Sequence, residues 1–221
     1  MLSSAIDDLA GHVLGLLRSG PRRRLIVAVA GVAGSGKSFV SHHVTNAINA
    51  AHASDIAVVV PMDGYHHPRA TLRAMVDPDL ALRRRGAPWT FDANGFVAAV
   101  EAIRNDDGER VLVAGFDHAV GDPVAGAIAV EPWHRVVVVE GLYAHVGELP
   151  WSRVGLELAD ELWWIEPEDA EASRERLVQR HVVAGLAADR KGAEERISGN
   201  DDINGEYAKT TRLAATRTIL N

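Results

Sequence analysis

The eight residues Gly31-Val32-Ala33-Gly34-Ser35-Gly36-Lys37-Ser38 constrain this chain more than any other stretch. They follow the spacing glycine, four residues, glycine, lysine, serine. Ahead of them lies a continuous apolar run over residues 25–30, the pattern of a strand covered on both faces, and residues 39–51 after them have helical character. Strand, glycine-rich turn and helix in that order build a phosphate cradle. Glycines let the backbone approach closely and take positive φ, main-chain N–H groups wrap the phosphates, and the helix N-terminus adds partial positive charge. In that setting Lys37 contacts the β- and γ-phosphates of a nucleotide and the Ser38 hydroxyl ligates Mg²⁺. Gly31, Ala33, Gly34, Ser35, Gly36 and Phe39 complete the expected ATP-binding set. The four fixed positions coincide by accident in roughly one chain of this size in a hundred, before the flanking strand and helix are counted.

Two further apolar runs end in an acid. Val136-Val137-Val138-Val139-Glu140 reads as a buried strand whose Glu140 would hold Mg²⁺ beside the phosphates, the alternative being a carboxylate that caps the next turn. Val58-Val59-Val60-Pro61-Met62-Asp63 is the second. Ligands collect at the C-terminal strand ends of an open parallel sheet, so Asp63 should share a crevice with Lys37 and accept a proton from an attacking hydroxyl. The plain alternative is an Asp-Gly turn with Tyr65, His66 and His67 on the surface. Adjacent histidines do not form a closed zinc site by themselves.

Apolar runs recur at residues 56–60, 111–114, 136–139 and 162–165, separated by helical or irregular stretches. That alternation predicts an α/β fold, a mainly parallel sheet with helices on both faces in three layers. Residues 1–19 should open the chain as an amphipathic helix, 95–104 form a short helix, and 167–185 a longer one with acids in its first turns. Residues 115–132 should form a loop or hairpin over the sheet edge, and 200–205 a turn before a short helix and a last strand at 218–220. Trp163 and Trp164 belong in or beside the core. A chain of 221 residues, 47% hydrophobic, fits one domain over 1–221 with a small lid.

The lid is expected over residues 174–195. Arg176 and Arg180 lie four apart on one helix face, placed either to insert over the phosphates or to pair on the surface with Glu171 and Glu175. Arg83-Arg84-Arg85-Gly86 is a solvated helix end or an anion grip, with Arg84 the candidate contact. Asp117 and His118, with Phe116 before them, could meet substrate hydroxyls or stabilise their own loop.

Together Gly31 to Ser38, Pro61 to His66, Phe116-Asp117-His118, Val139-Glu140-Gly141 and the helix with Arg176 and Arg180 resemble the uridine kinase, phosphoribulokinase and bacterial pantothenate kinase superfamily, over nearly the whole chain after Arg24. The runs Arg85-Gly86-Ala87-Pro88-Trp89-Thr90-Phe91-Asp92, Phe116-Asp117-His118 and Gly199-Asn200-Asp201 are similar to the bacterial nucleoside or fructose-transport-system kinase group. The resemblance implies a P-loop fold, ATP as donor, Asp63 as base, Glu140 near the metal, a mobile lid with Arg176 and Arg180, and Tyr65, His66, Asp117 and His118 facing the acceptor. Arg180-His181 stands where relatives often have Arg-Asp, which leaves the arginine at the transition state open.

Charge and composition narrow the classes. The net charge is -7, from 23 basic and 30 acidic residues, which argues against broad contact with nucleic acid or an anionic membrane. Lysine occurs only at Lys37, Lys191 and Lys209, and cysteine is absent, so disulfides and thiolate chemistry are excluded. No apolar run nears the ~20 residues that span a bilayer, and the acidic start is unlike a secretory signal, so a cytoplasmic protein is expected. The reading is an ATP- and Mg²⁺-dependent phosphotransferase with an alcohol acceptor, a sugar or nucleoside, without nucleic-acid or membrane partners and with a homodimer left open. Two alternatives remain: a nucleotide-dependent switch, disfavoured because no Asn-Lys-x-Asp motif is present, and a nucleotide kinase whose residues 83–85 grip a phosphate on the acceptor.

Overall fold

The computed structural model describes residues 2–19, 24–105, 108–117 and 119–221. In chain order its helices are α1 (Leu2–Ser19), α2 (Lys37–His52), α3 (Arg69–Arg73), α4 (Pro78–Arg83), α5 (Ala93–Asn105), α6 (Ala170–Val183), α7 (Arg190–Arg196) and α8 (Asp202–Thr211). Its strands are β1 (Leu25–Ala30), β2 (Ala57–Pro61), β3 (Val111–Asp117), β4 (Asp122–Val130), β5 (Val136–Glu140), β6 (Glu161–Glu166) and β7 (Arg217–Leu220).

Five of these strands form one parallel sheet in the order β2-β5-β1-β6-β7. Every residue of β1 and β5 is buried, as continuous apolar runs require when both sheet faces are covered. Alternate side chains then serve opposite layers. Leu25, Val27 and Val29 pack with Ile6, Leu9 and Val13 of α1 and Val40, Val44 and Ile48 of α2. Ile26, Ala28 and Ala30 pack on the other side with Phe96, Val100 and Ile103 of α5 and with Trp151. The tandem tryptophans of β6 divide in the same way, Trp163 joining the first layer and Trp164 the second. No helix among the described residues is long and apolar enough to cross a membrane.

Two expectations need correction. The run at 111–114 does not enter the parallel sheet: β3 pairs antiparallel with β4, Val111 opposite Val130 and Asp117 opposite Asp122, in a separate two-stranded hairpin. Its burial alternates, with Val113 covered and Leu112 61% exposed, so it is a one-sided ribbon and not a central strand. Residues 200–205 form no turn. They continue a wide π-helical stretch, Ile197–Asp201, into α8. Tertiary hydrogen bonds override the turn-like composition there. Buried Asn200 donates from Nδ2 to the Arg85 carbonyl at 3.0 Å, and buried Asn204 accepts from Arg84.

Candidate active site

The cradle is shaped by what cannot fit in it. A Cβ on Gly31 would stand 2.6 Å from Ser35 Oγ and 2.7 Å from the Ile165 carbonyl, so only glycine lets the chain leave β1 at this angle. Gly36 takes φ 87°, a left-handed conformation that other residues rarely adopt, and from there α2 begins without a side-chain cap. The first amides of α2 are therefore left to whatever anion arrives.

Register fixes the acids beside it. Val29 of β1 pairs with Glu140 at the end of β5, and Glu140 in turn pairs with Pro61 at the end of β2. The Ser38 hydroxyl donates to Glu140 Oε1 at 3.1 Å, while Oε2 is buried and has no hydrogen-bond partner among the described residues. Burial pushes the Glu140 carboxyl above the usual carboxylate range, and the Lys37 ammonium pulls it back. A desolvated carboxylate with one oxygen idle, touching a serine hydroxyl under the phosphate loop, is the oxygen donor set a hard divalent cation takes. Asp63 sits in the single turn Met62–Tyr65 just past β2, with its side chain half exposed toward the same edge.

Helix α6 closes the mouth. Asp169 caps its start by accepting from the Ala172 amide at 2.9 Å, and Ser173 Oγ donates to the Gly34 carbonyl at 2.7 Å, which docks the helix on the cradle. Arg176 and Arg180 then line a cleft of about 250 Å³ together with Gly34, Gly36, Lys37, Ser38 and Phe39. His181 turns the other way. It is buried, with Nε2 3.2 Å from Asp201 Oδ2, so the residue at the departure from Arg-Asp packs inward against the stretch before α8. Arg174 pairs with Asp202 at 3.1 Å on the surface.

No family model matches the chain. A Schizosaccharomyces pombe protein bearing a provisional uridine kinase name is 36% identical over 201 residues, covering 91% of this chain and 84% of its own. The chain belongs to the uridine kinase-like family of P-loop kinases. An ATP-dependent kinase-like protein of Aspergillus versicolor is 43% identical across 69% of this chain and 89% of its own. A crystal structure from Silicibacter sp. TM1040, provisionally described as a fructose transport system kinase, superposes with TM-score 0.81 at 35% identity, covering 97% of this chain and 98% of that one.

The residues expected to face an acceptor have mixed surroundings. His66 lies tilted against Phe91 with centroids 3.9 Å apart and meets the Asp63 carbonyl through Nδ1 at 3.0 Å. A carbonyl only accepts, so Nδ1 carries the proton, and burial, opposed by Asp63, lowers the histidine toward its neutral form with an acceptor at Nε2. Tyr65 packs edge-on against Phe96, and burial raises its hydroxyl. Asp117 spends Oδ1 on the hairpin turn, accepting from the amides of Ala119 and Val120. Arg84 donates to the Gly199 carbonyl at 2.7 Å and to Asn204 at 3.0 Å. His118 lies outside the described residues. Sequence reasoning named Arg85 only within the run 83–85 and did not name Arg69 or Arg196; all three line one cavity with His66. The run at 83–85 carried the signal for Arg85, but its helical phase could not show which arginine turns inward.

Proposed function

We propose that this kinase moves the γ-phosphoryl group of ATP, with Mg²⁺, onto a hydroxyl of a small metabolite, a sugar or nucleoside. One juxtaposition carries the reading: Lys37 and Ser38 of the cradle line a single cleft with Arg176 and Arg180, and the same Ser38 hydroxyl donates to Glu140. In the proposed step the acceptor oxygen bonds to the γ-phosphorus as the bond to the ADP oxygen breaks, and the hydroxyl proton passes to Asp63. The amides of residues 31–38 and Lys37 hold the donor, and Arg176 and Arg180 stabilise the charge that spreads over the transferring oxygens. Ser38 and Glu140 would hold Mg²⁺, which supplies charge neutralisation on the β- and γ-oxygens when bound. His66, neutral and fixed through Nδ1, offers Nε2 to an acceptor hydroxyl. The site works in the cytoplasm on this reading.

A panel of sugars, nucleosides and other small alcohols incubated with ATP and Mg²⁺ should include one that accelerates ADP release. Asp63→Asn should then lower kcat by about 10²–10⁴ while ATP affinity moves less than about twofold. Unaltered turnover in that variant removes Asp63 from the base role.

A further inference from the structure

We infer that the acceptor carries an anionic group, a phosphate or a carboxylate, held by Arg69, Arg85 and Arg196 in the cavity beside Asp63. This deepens the kinase reading above and rests on it. The cavity encloses about 310 Å³ between the β3–β4 hairpin, the start of α3 and the lid, and its walls carry three guanidinium groups and no carboxylate among the described residues. Asp122 pairs with one of the guanidinium groups, Arg85, at 2.7 Å, and accepts from the Arg69 main-chain amide at 3.0 Å.

All three arginines are held in place, and two of them, Arg85 and Arg196, keep a buried donor without a partner among the described residues. Arg85 donates to the Gly121 carbonyl at 2.5 Å and to the His67 carbonyl at 3.1 Å, yet its Nε is buried without a hydrogen-bond partner among the described residues. Burial draws Arg85 below the ordinary arginine range, against the pull of Asp122. Arg69 reaches the Val120 carbonyl at 3.1 Å, which fixes its guanidinium on the hairpin turn. Arg196, at the end of α7, has a buried Nε in the same state and makes no ion pair among the described residues. Buried guanidinium donors without partners are costly, and converging ones are relieved together by one multivalent anion.

Geometry joins this cavity to the proposed chemistry. His66 lines it, and its Nδ1 lies 3.9 Å from Asp63 Oδ1, so on this inference a molecule anchored on the arginines presents its hydroxyl to Asp63 from beside His66. Phe116 adds an apolar wall. The anchoring group keeps all its bonds: the acceptor hydroxyl gains the γ-phosphoryl group, ADP leaves and the proton goes to Asp63. Sugar phosphates, nucleoside monophosphates and hydroxy acids have this form. Because Ala184 and Leu186 belong to the expected lid segment and Arg196 follows directly on it, the anchored anion also bridges that segment and the body.

Calorimetry separates the inference from the reading beneath it. The full chain is first saturated with Mg²⁺ and a non-hydrolysable ATP analogue, which occupies the cradle; failure at this stage strikes the kinase reading itself. Inorganic phosphate and, separately, acetate are then titrated in. At least one should bind, and Arg196→Gln and Arg69→Gln should each weaken it about tenfold or more while analogue affinity stays within about twofold. Stronger phosphate binding assigns phosphorylated acceptors, and stronger acetate binding assigns hydroxy acids. No heat from either anion, or equal binding in both variants with unchanged melting curves, overturns the inference.

Discussion

The central sheet and the lid are held together by different physics. Strands β1 and β5 lie wholly buried between two large apolar clusters, and the cradle, Glu140 and the turn with Asp63 spring directly from their ends and from β2. The expected lid, α6 and α7 with the residue that follows α7, has a small buried apolar cluster of its own, Leu177, Val178, Ala193 and Ile197. Around them run exposed ion pairs, Arg190 to Glu175 at 2.6 Å and to Glu194 at 2.9 Å, of a kind that contributes little in water. The strand-end half thus rests on a large buried core and the half that carries Arg176, Arg180 and Arg196 on a small one, so local opening is expected first in the second. On the proposed function, a cover that admits and releases substrate would draw on that difference.

That contrast breaks first under core truncation. Phe96→Ala empties a fully buried position under the sheet and should lower global stability by about 3–5 kcal/mol in denaturant unfolding. Ile197→Ala removes an equally buried side chain from the lid, yet should cost markedly less globally and instead speed hydrogen exchange in α6 and α7. Equal global losses, with no local change in exchange, would erase the distinction between the regions.

A pH titration sharpens it next. His145 is buried under β1, gives its Nε2 proton to the Ala28 carbonyl at 2.9 Å, leaves Nδ1 unpartnered and is pushed down to about 4 by burial. Its folded value lies below the unfolded one, near ~6.5, so above that pH both states are neutral and nothing is lost. As pH falls below ~6.5 the unfolded chain binds a proton the native site refuses, and by pH 4 about 3 kcal/mol of stability should be gone from this residue. Urea midpoints between pH 7 and pH 4.5 should fall less steeply in His145→Gln. The same titration should leave lid exchange relative to the sheet little changed near neutrality.

The smallest expected effect belongs to the lid arginines. Arg180→Gln should lower kcat by roughly 10–100-fold with little change in the melting temperature, since the residue lines the cleft and supports no core. A melting shift as large as that of Phe96→Ala would make Arg180 structural.

Legibility followed the same division. Continuous β-branched runs such as Val136-Val137-Val138-Val139 announce a strand buried on both faces, and the glycine spacing announces the turn after β1, because both are local consequences of sterics. Glu140 and Asp63 could be placed because strand ends set their position. The run at 111–114 misled because four apolar residues do not show on how many sides they are covered. Residues 200–205 misled because Asn200 and Asn204 are engaged from 115 and 120 residues away, by Arg85 and Arg84, and no local pattern carries that information. The arginine cavity was hidden for the same reason: Arg69, Arg85 and Arg196 meet only through the packing of hairpin and lid.

Titration calorimetry of ATP with Mg²⁺ into the wild-type chain and Lys37→Ala tests the cradle most directly. Saturable binding in the wild type, weakened at least about tenfold in the variant while the melting temperature holds, is the expected result. Absence of heat from the wild type at millimolar ATP, or identical affinity in both proteins, would contradict it.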